Sequence, residues 1–362
     1  TQELKTKPTQ HSVNELRRIG IQPDVIACRS DYPIPENLRD KISLFCDVSK
    51  EAVIPMPTVS TIYEIPLMLE EYGVGQLIMD KLCMNAKPAD LTQWAKMVER
   101  MKTPHEPVRI ALVGKYVELN DAYYSVREAL YHAALYNDRA LDLFWVHSEE
   151  LDKSEADALL RTAQGIIVPG GFGIRGIEGM VKAAKYAREN KIPYFGLCLG
   201  LQVMVIELAR HVFKTDEPNS TEFHPDTKYP VIDYLLEQKK LVTKGGNMRL
   251  GNYPCKLVKG TLAYKAYGQE EVLERHRHRL EFNNEYREPL QKAGMQFSGL
   301  SPDGSLVEIC ELKDHPWMVG VQFHPEFLSR PNRPQPLFRE FVGVAKDVLR
   351  EGAQPPLPLA AK

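Results

Sequence analysis

PYFGLCLGLQ (193–202) holds the reading that decides the fold. A short apolar run, IPYFGL (192–197), leads directly into Cys198, and an apolar helical stretch, LGLQVMVIELARHV (199–212), begins immediately after it. Gly196 and Gly200 stand two residues before and two after the cysteine. Small residues at these positions permit the tight strand-to-helix turn of a nucleophile elbow, which lifts one side chain above the end of a sheet. The turn predicts a thiol exposed at a strand end, and the helix N-terminus favours its thiolate. A buried structural cysteine in a strand–helix turn fits the same string equally well, so any chemistry rests on what else the chain supplies.

Outward from the elbow, strand and helix patterns alternate. VRIALVG (108–114), LDLFWVH (141–147) and GIIVPGG (165–171) read as strands, while 121–136 and 176–190 carry apolar residues at helical spacing. Such alternation predicts an α/β domain whose central, mostly parallel sheet is flanked by helices, with ligands at the C-terminal strand ends. The region 213–315 is richer in strands and turns. Before 108 the texture differs: a short strand signal at 24–28, proline-bounded turns at 31–37, and a helix within 86–107 that runs into a proline-flanked linker. The predicted domains are 1–103 and 104–348, followed by a Pro/Ala-rich tail, 349–362, read as disordered.

Two further strings supply partners for Cys198. VQFHPE (321–326) follows the apolar run WMVG, and Pro325 biases His324 toward extended geometry, which holds His324 and Glu326 near one another. A cysteine nucleophile needs a base, and the base needs an orienting carboxylate. VPGGFGIRG (168–176) is glycine-rich. Gly171, Gly173 and Gly176 match a dinucleotide fingerprint, but the strand expected to carry a ribose-binding acid ends instead in the cysteine elbow. The better reading is an oxyanion loop, in which the backbone N–H groups of Gly171 and Leu199 face a developing oxyanion.

Composition narrows the class. A formal net charge of -2, with 43% hydrophobic and 26% charged residues, describes ordinary globular domains and offers no basic field for a nucleic-acid duplex. The six cysteines form no C-x-x-C pair, which argues against a zinc site or disulfide scaffold. All but Cys198 read as buried free thiols in a reducing, cytoplasmic setting. His276 and His278 sit at a two-residue spacing but lack further ligands, so no metal site is assigned to the chain.

In the order Gly-Gly loop, Cys elbow and His-x-Glu, the three strings resemble class I glutamine amidotransferases. Other strings are similar to the CTP synthase family: VGKY (113–116) with DAYYS (121–125), GGFGIRG (170–176), AREN (187–190), NSTEF (219–223), MRLG (248–251) and ERHRHR (274–279). The likeness extends before 104 through KTKPTQHSV (5–13), CRSD (28–31) and IYEIP (62–66). It implies that the fold is a class I amidotransferase domain, preceded by the partial end of a P-loop-type α/β synthetase domain. It also implies ATP-dependent amination of UTP to CTP with ammonia from glutamine. In that scheme Cys198, His324 and Glu326 form the catalytic triad.

The resemblance assigns the remaining sites as follows. Gly171, Leu199, Gln202, Glu222 and Arg277 bind glutamine. Lys5, Lys7, Gln10 and Lys41 contact UTP or inhibitory CTP. Arg29 and the stretch around Val59 lie on the ATP side, where Thr58 replaces an acid found in some relatives. GTP is implied as an allosteric activator, with Phe172 and 245–251 as candidate contacts, and the assembly is implied to be a homotetramer. Magnesium ligands and a Walker-type loop are absent from this sequence, from which a truncated chain unable to make CTP by itself is expected. Alternatives within reach of the same core are another class I amidotransferase, a γ-glutamyl hydrolase-like enzyme and an inactive regulatory module.

Overall fold

The computed structural model describes residues 3–119, 121–153, 156–234 and 248–348. It divides into two compact units, Thr1–Thr103 and Pro104–Lys362. The expected disordered tail at 349–362, and 245–247 of the expected GTP-side loop, lie outside the described residues.

In the first unit two parallel strands, β1 (Ile26–Ser30) and β2 (Val53–Pro57), are joined through the helix Glu36–Cys46. Val13 of the helix Lys7–Arg18 packs with Ile26, Cys28, Ile42, Cys46 and Val53 in a small core. Further on, Thr61 and Glu64 close a capping box on a short 3-10 turn, and Lys102 reaches Glu64 at 2.6 Å.

Among the described residues, the large sheet of the second unit has nine strands: β3 (Glu106–Gly114), β4 (Arg139–His147), β5 (Gly165–Val168), β6 (Tyr194–Leu197), β9 (Arg249–Leu257), β10 (Glu271–His278), β12 (Met295–Leu300), β13 (Val307–Leu312) and β14 (Met318–Val321). A smaller sheet holds β7 (Asn219–Ser220), β8 (Pro230–Tyr234) and β11 (Leu280–Phe282). The large sheet runs β10-β9-β12-β13-β14-β6-β5-β3-β4. From β14 to β4 every pairing is parallel; from β10 to β14 every pairing is antiparallel. The expected mostly parallel sheet is therefore mixed. Its parallel half matches the strand–helix alternation of the sequence, and its antiparallel half comes from the turn-rich 249–321.

Helices cover both faces. Tyr124–Tyr136 and Pro336–Ala345 bury Leu130, Phe338 and Phe341 in one core; Ile177–Asn190 and Leu199–Phe213 bury Met180, Ala184 and Ile206 in the other. The Leu199–Phe213 helix is buried continuously from Leu199 to Ala209. An apolar character all round, rather than a single stripe, is what a helix enclosed by two layers requires. Among the described residues, no helix is long and apolar enough to cross a membrane.

Candidate functional site

Three neighbouring parallel strands, β5, β6 and β14, deliver the site to one edge of the sheet. Their ends are in register: Val168 of β5 pairs with Gly196 of β6, and Leu197 of β6 pairs with Val321 of β14. Beyond those pairs the three strands continue into the glycine loop, Cys198 and His324 respectively.

Cys198 has φ 51° and ψ -98°, at the N-cap of the Leu199–Phe213 helix. A non-glycine residue in such a conformation costs of order 1–3 kcal/mol and persists only where its surroundings impose it. Here the Cys198 N–H donates to the Val321 carbonyl at 2.7 Å, and the Tyr194 hydroxyl donates to the Gly200 carbonyl at 2.7 Å. The flanking glycines are sterically required: a Cβ on Gly196 would stand 2.4 Å from the Gly200 carbonyl carbon, and one on Gly200 would stand 2.1 Å from the Val168 oxygen.

The expected exposed thiol is in fact covered, with Cys198 only 7% accessible. The cover comes from distant segments. Gln322 directs its Nε2 at Sγ, 3.6 Å away, and Gly170 leaves the space that the His324 ring occupies, since a Cβ there would lie 2.8 Å from His324 Cε1. His324 Nδ1 is 2.8 Å from Glu326 Oε1, and its backbone N–H donates to the Arg275 carbonyl at 2.8 Å. Burial by itself would push the imidazole down, but hydrogen bonds to Cys198 and Glu326, with the charges of both, outweigh it and raise His324 to about 10. The ring lies between the Cys198 thiol and the Glu326 carboxyl, and these partners favour its charged form.

The glycine loop is clamped from two sides. The Lys115 ammonium donates to the Phe172 carbonyl at 3.0 Å and also to that of Gly173, while the Gly173 N–H donates to Glu222 Oε1 at 2.8 Å. Lys115 is buried, which lowers it to about 8 against the opposing charge of Glu222, with Arg175 acting in the same sense as burial. Gly171 lies beside Leu199, where a Cβ would come within 3.1 Å of Leu199 Cδ2. Gln202 is buried one helical turn after Cys198 and donates weakly to Gln322 Oε1 at 3.4 Å. Phe172 is 73% exposed.

Along β10 the burial alternates, so Arg275 and Arg277 face outward while His276 and His278 face inward. The histidines are 3.0 Å apart, and burial first, then the charges of Arg249 and His324, lower them to about 2 and about 3. They are buried neutral groups beside Glu308 and Glu281, which share Arg249. Among the described residues no group of three or more His, Cys, Asp or Glu is arranged to hold a metal ion. Four of the other cysteines, Cys28, Cys46, Cys255 and Cys310, are buried free thiols. Cys83 is exposed instead, because it occupies a positive-φ turn just past the helix Val74–Lys81.

In the first unit, Arg29, Thr58 and Asp31 come together at the ends of β1 and β2: Arg29 donates to Thr58 Oγ1 at 2.9 Å, and Thr58 to Asp31 Oδ1 at 2.6 Å. Val59 follows directly and is half-buried. Lys5 and Lys7 are exposed near the start of the helix Lys7–Arg18, and Gln10 donates to Thr6 Oγ1 at 3.1 Å. Lys41 is exposed on the Glu36–Cys46 helix, and among the described residues no hydrogen bond links it to Lys5, Lys7 or Gln10. Lys115, Gln322 and Gly170 carry no role in the sequence reading. Their positions depend on pairings across the sheet, although the Gly170–Gly171 doublet is itself a signal of close approach.

With this geometry in place, the chain matches the family described as Glutamine amidotransferase class-I over residues 118–344. It belongs to that family. Residues 1–84 match the family described as CTP synthase N-terminus. The chain is 67% identical over 360 residues to a CTP synthase of Dehalococcoides mccartyi, covering 99% of this chain and 66% of that protein. It is 60% identical to a CTP synthase of Thermomicrobium roseum, covering 99% and 65%. This amidotransferase thus spans just under two thirds of the length of those relatives. Among solved structures, the glutaminase domain of Trypanosoma brucei CTPS with bound acivicin is similar at 40% identity and a TM-score of 0.63, over 67% of this chain and 96% of that one.

Proposed function

We propose that the amidotransferase unit hydrolyses glutamine through a thioester on Cys198, and that the chain serves the glutamine-dependent amination of UTP to CTP. The observation that carries the first part is the strained Cys198 facing an imidazole whose other nitrogen is held by Glu326 at 2.8 Å. The second part draws on the identity to CTP synthases, which runs through both units.

In this reading the Cys198 thiolate attacks the glutamine carboxamide, and the backbone N–H groups of Gly171 and Leu199 receive the oxyanion. His324 gives its Nε2 proton to the departing ammonia, while Glu326 fixes the ring and favours its charged form. Water then attacks the thioester with His324 as base, releasing glutamate. Glu222 suits the substrate ammonium, Arg277 its carboxylate, and Gln202 lines the pocket. In the first unit Lys5, Lys7, Gln10 and Lys41 are assigned to UTP or CTP, and Arg29 with Val59 to ATP. ATP phosphorylates the uracil oxygen that ammonia displaces. GTP activation, CTP inhibition and a tetramer belong to the same proposal.

The test is glutamate release from glutamine by the purified chain, with and without GTP. Release that GTP stimulates upholds both parts. Release indifferent to GTP upholds only the glutaminase, and no release from folded protein overturns it.

A further inference from the structure

The triad carboxylate of Glu326 has one oxygen unaccounted for. Its Oε1 meets His324, while its Oε2 is buried without a hydrogen-bond partner. A second buried carboxyl in the unit shows the same pattern. Glu274, on β10 and 1% accessible, accepts at Oε1 from the Tyr267 hydroxyl at 2.6 Å and from Gln335 Nε2 at 3.2 Å, and its Oε2 is likewise buried and unpartnered. The Gln335 amide has no freedom to turn round, because its Oε1 accepts from the N–H groups of Leu337 and Phe338 at the start of the last helix. Both donors available to Glu274 are therefore fixed on one oxygen.

The charge of Glu326 acts on Glu274, and a backbone bond ties their two segments together. Arg275, the residue after Glu274, accepts the backbone N–H of His324, two residues before Glu326. A buried acceptor left without a donor is costly, and two like charges at close quarters in a dry site are costlier still. One proton resolves both.

We propose that Glu274 is a positioning residue for the triad, its protonated carboxyl donating from Oε2 to Oε2 of Glu326. The donation fixes the Glu326 plane, which in turn fixes the His324 ring against Cys198. Burial first, and then the charge of Glu326, raise Glu274 to about 7 against the opposing bonds from Tyr267 and Gln335, so the proton is lost within the working range. The groups that face Glu274 are Tyr267 on its helix, the Cys255 thiol on β9, the Gln335 amide, and Glu326 with His324 behind it. Tyr267 and Cys255 are both pushed upward, chiefly by burial, and stay neutral through this range. This inference rests on the catalytic role proposed for Cys198.

The experiment follows alkylation of Cys198 by iodoacetamide from pH 5.5 to 9, read on the Cys198 peptide by mass spectrometry, in wild type, Glu274→Gln and Glu274→Ala. The readout does not require glutamine turnover. Wild type should show a break near pH 7 that Glu274→Gln lacks, because the amide always donates. Glu274→Ala should lower the rate at pH 6 by tenfold or more, and Glu274→Gln should rescue that loss. A Glu274→Gln profile that retains the wild-type break overturns the proposal, and this arm decides alone should Glu274→Ala fail to fold. The expected alkylation pattern with no glutamate release would uphold the positioning role and reject the glutaminase reading.

Discussion

Nδ1 of His324 lies 2.8 Å from Oε1 of Glu326, two residues on, and this short tether determines which ring nitrogen is left for Cys198. With Nδ1 committed to the carboxylate, Nε2 is the ring nitrogen left to face the thiol. The pair sits at the end of β14, directly beside the β6 strand that ends in Cys198.

Glu326→Gln should retain the fold and lose most of the chemistry. An amide can hold the ring but cannot stabilise its charge, so kcat for glutamate release should fall by about 100- to 10,000-fold. His324 should titrate lower in the variant, because one of the groups that raise it is gone. Proton NMR of the imidazole measures that shift directly, and an unchanged titration would remove Glu326 from the account.

Gly200→Ala should be severely destabilising, because the added methyl would sit 2.1 Å from the Val168 backbone oxygen and neither strand nor helix can yield. The expected loss is about 3 kcal/mol or more. Gly304→Ala is the control: its φ is 76° with no atom within 4 Å, so strain alone should cost about 1 kcal/mol. Urea unfolding of the two variants tests the contrast.

Lys115→Met should loosen the glycine loop, since the Phe172 and Gly173 carbonyls would lose their shared ammonium donor. A hydrogen bond from a charged group contributes about 2 kcal/mol, so kcat/KM for glutamine should fall roughly 30-fold. A variant with wild-type kcat/KM would show that the loop is held by Glu222 alone.

Glu281→Gln should change how stability depends on pH. Burial first, and then Glu308, raise Glu281 to about 8 despite Arg249, so the folded state keeps a proton that the unfolded chain releases above about 4.3. That proton stabilises the fold at low pH, and the contribution is lost as pH rises toward 8. The glutamine variant lacks the slope and should gain about 1–3 kcal/mol relative to wild type between pH 5 and pH 8. A constant difference in urea unfolding free energy across that range would contradict this reading.

Much of the parallel half of the sheet was legible. Its strands and helices are local patterns, and the G-x-C-x-G turn and His-Pro-Glu string each fix a geometry within a few residues. The antiparallel half was not, because β9, β10, β12 and β13 are joined by turns and pair in an order the chain does not follow. The alternation of arginine and histidine in 275–278 matches the outward and inward faces of β10. The inward histidines become neutral core groups only once Arg249, Glu281 and Glu308 are seen around them. The cover over Cys198 is not a local pattern either, since Gln322 and His324 lie over 120 residues away in sequence and close in space. Glu274 gave no signal because a glutamate in a strand reads as solvent-facing until the buried side of β10 is known.

The central claim is that Cys198 carries the acyl group. The most direct test compares wild type with Cys198→Ala for glutamate release, with acid-quenched samples examined for a glutamyl adduct by peptide mass spectrometry. The account predicts an adduct on Cys198 in wild type and a loss of at least about 1,000-fold in release by Cys198→Ala. Release that survives in Cys198→Ala, or an adduct on another residue, would contradict it.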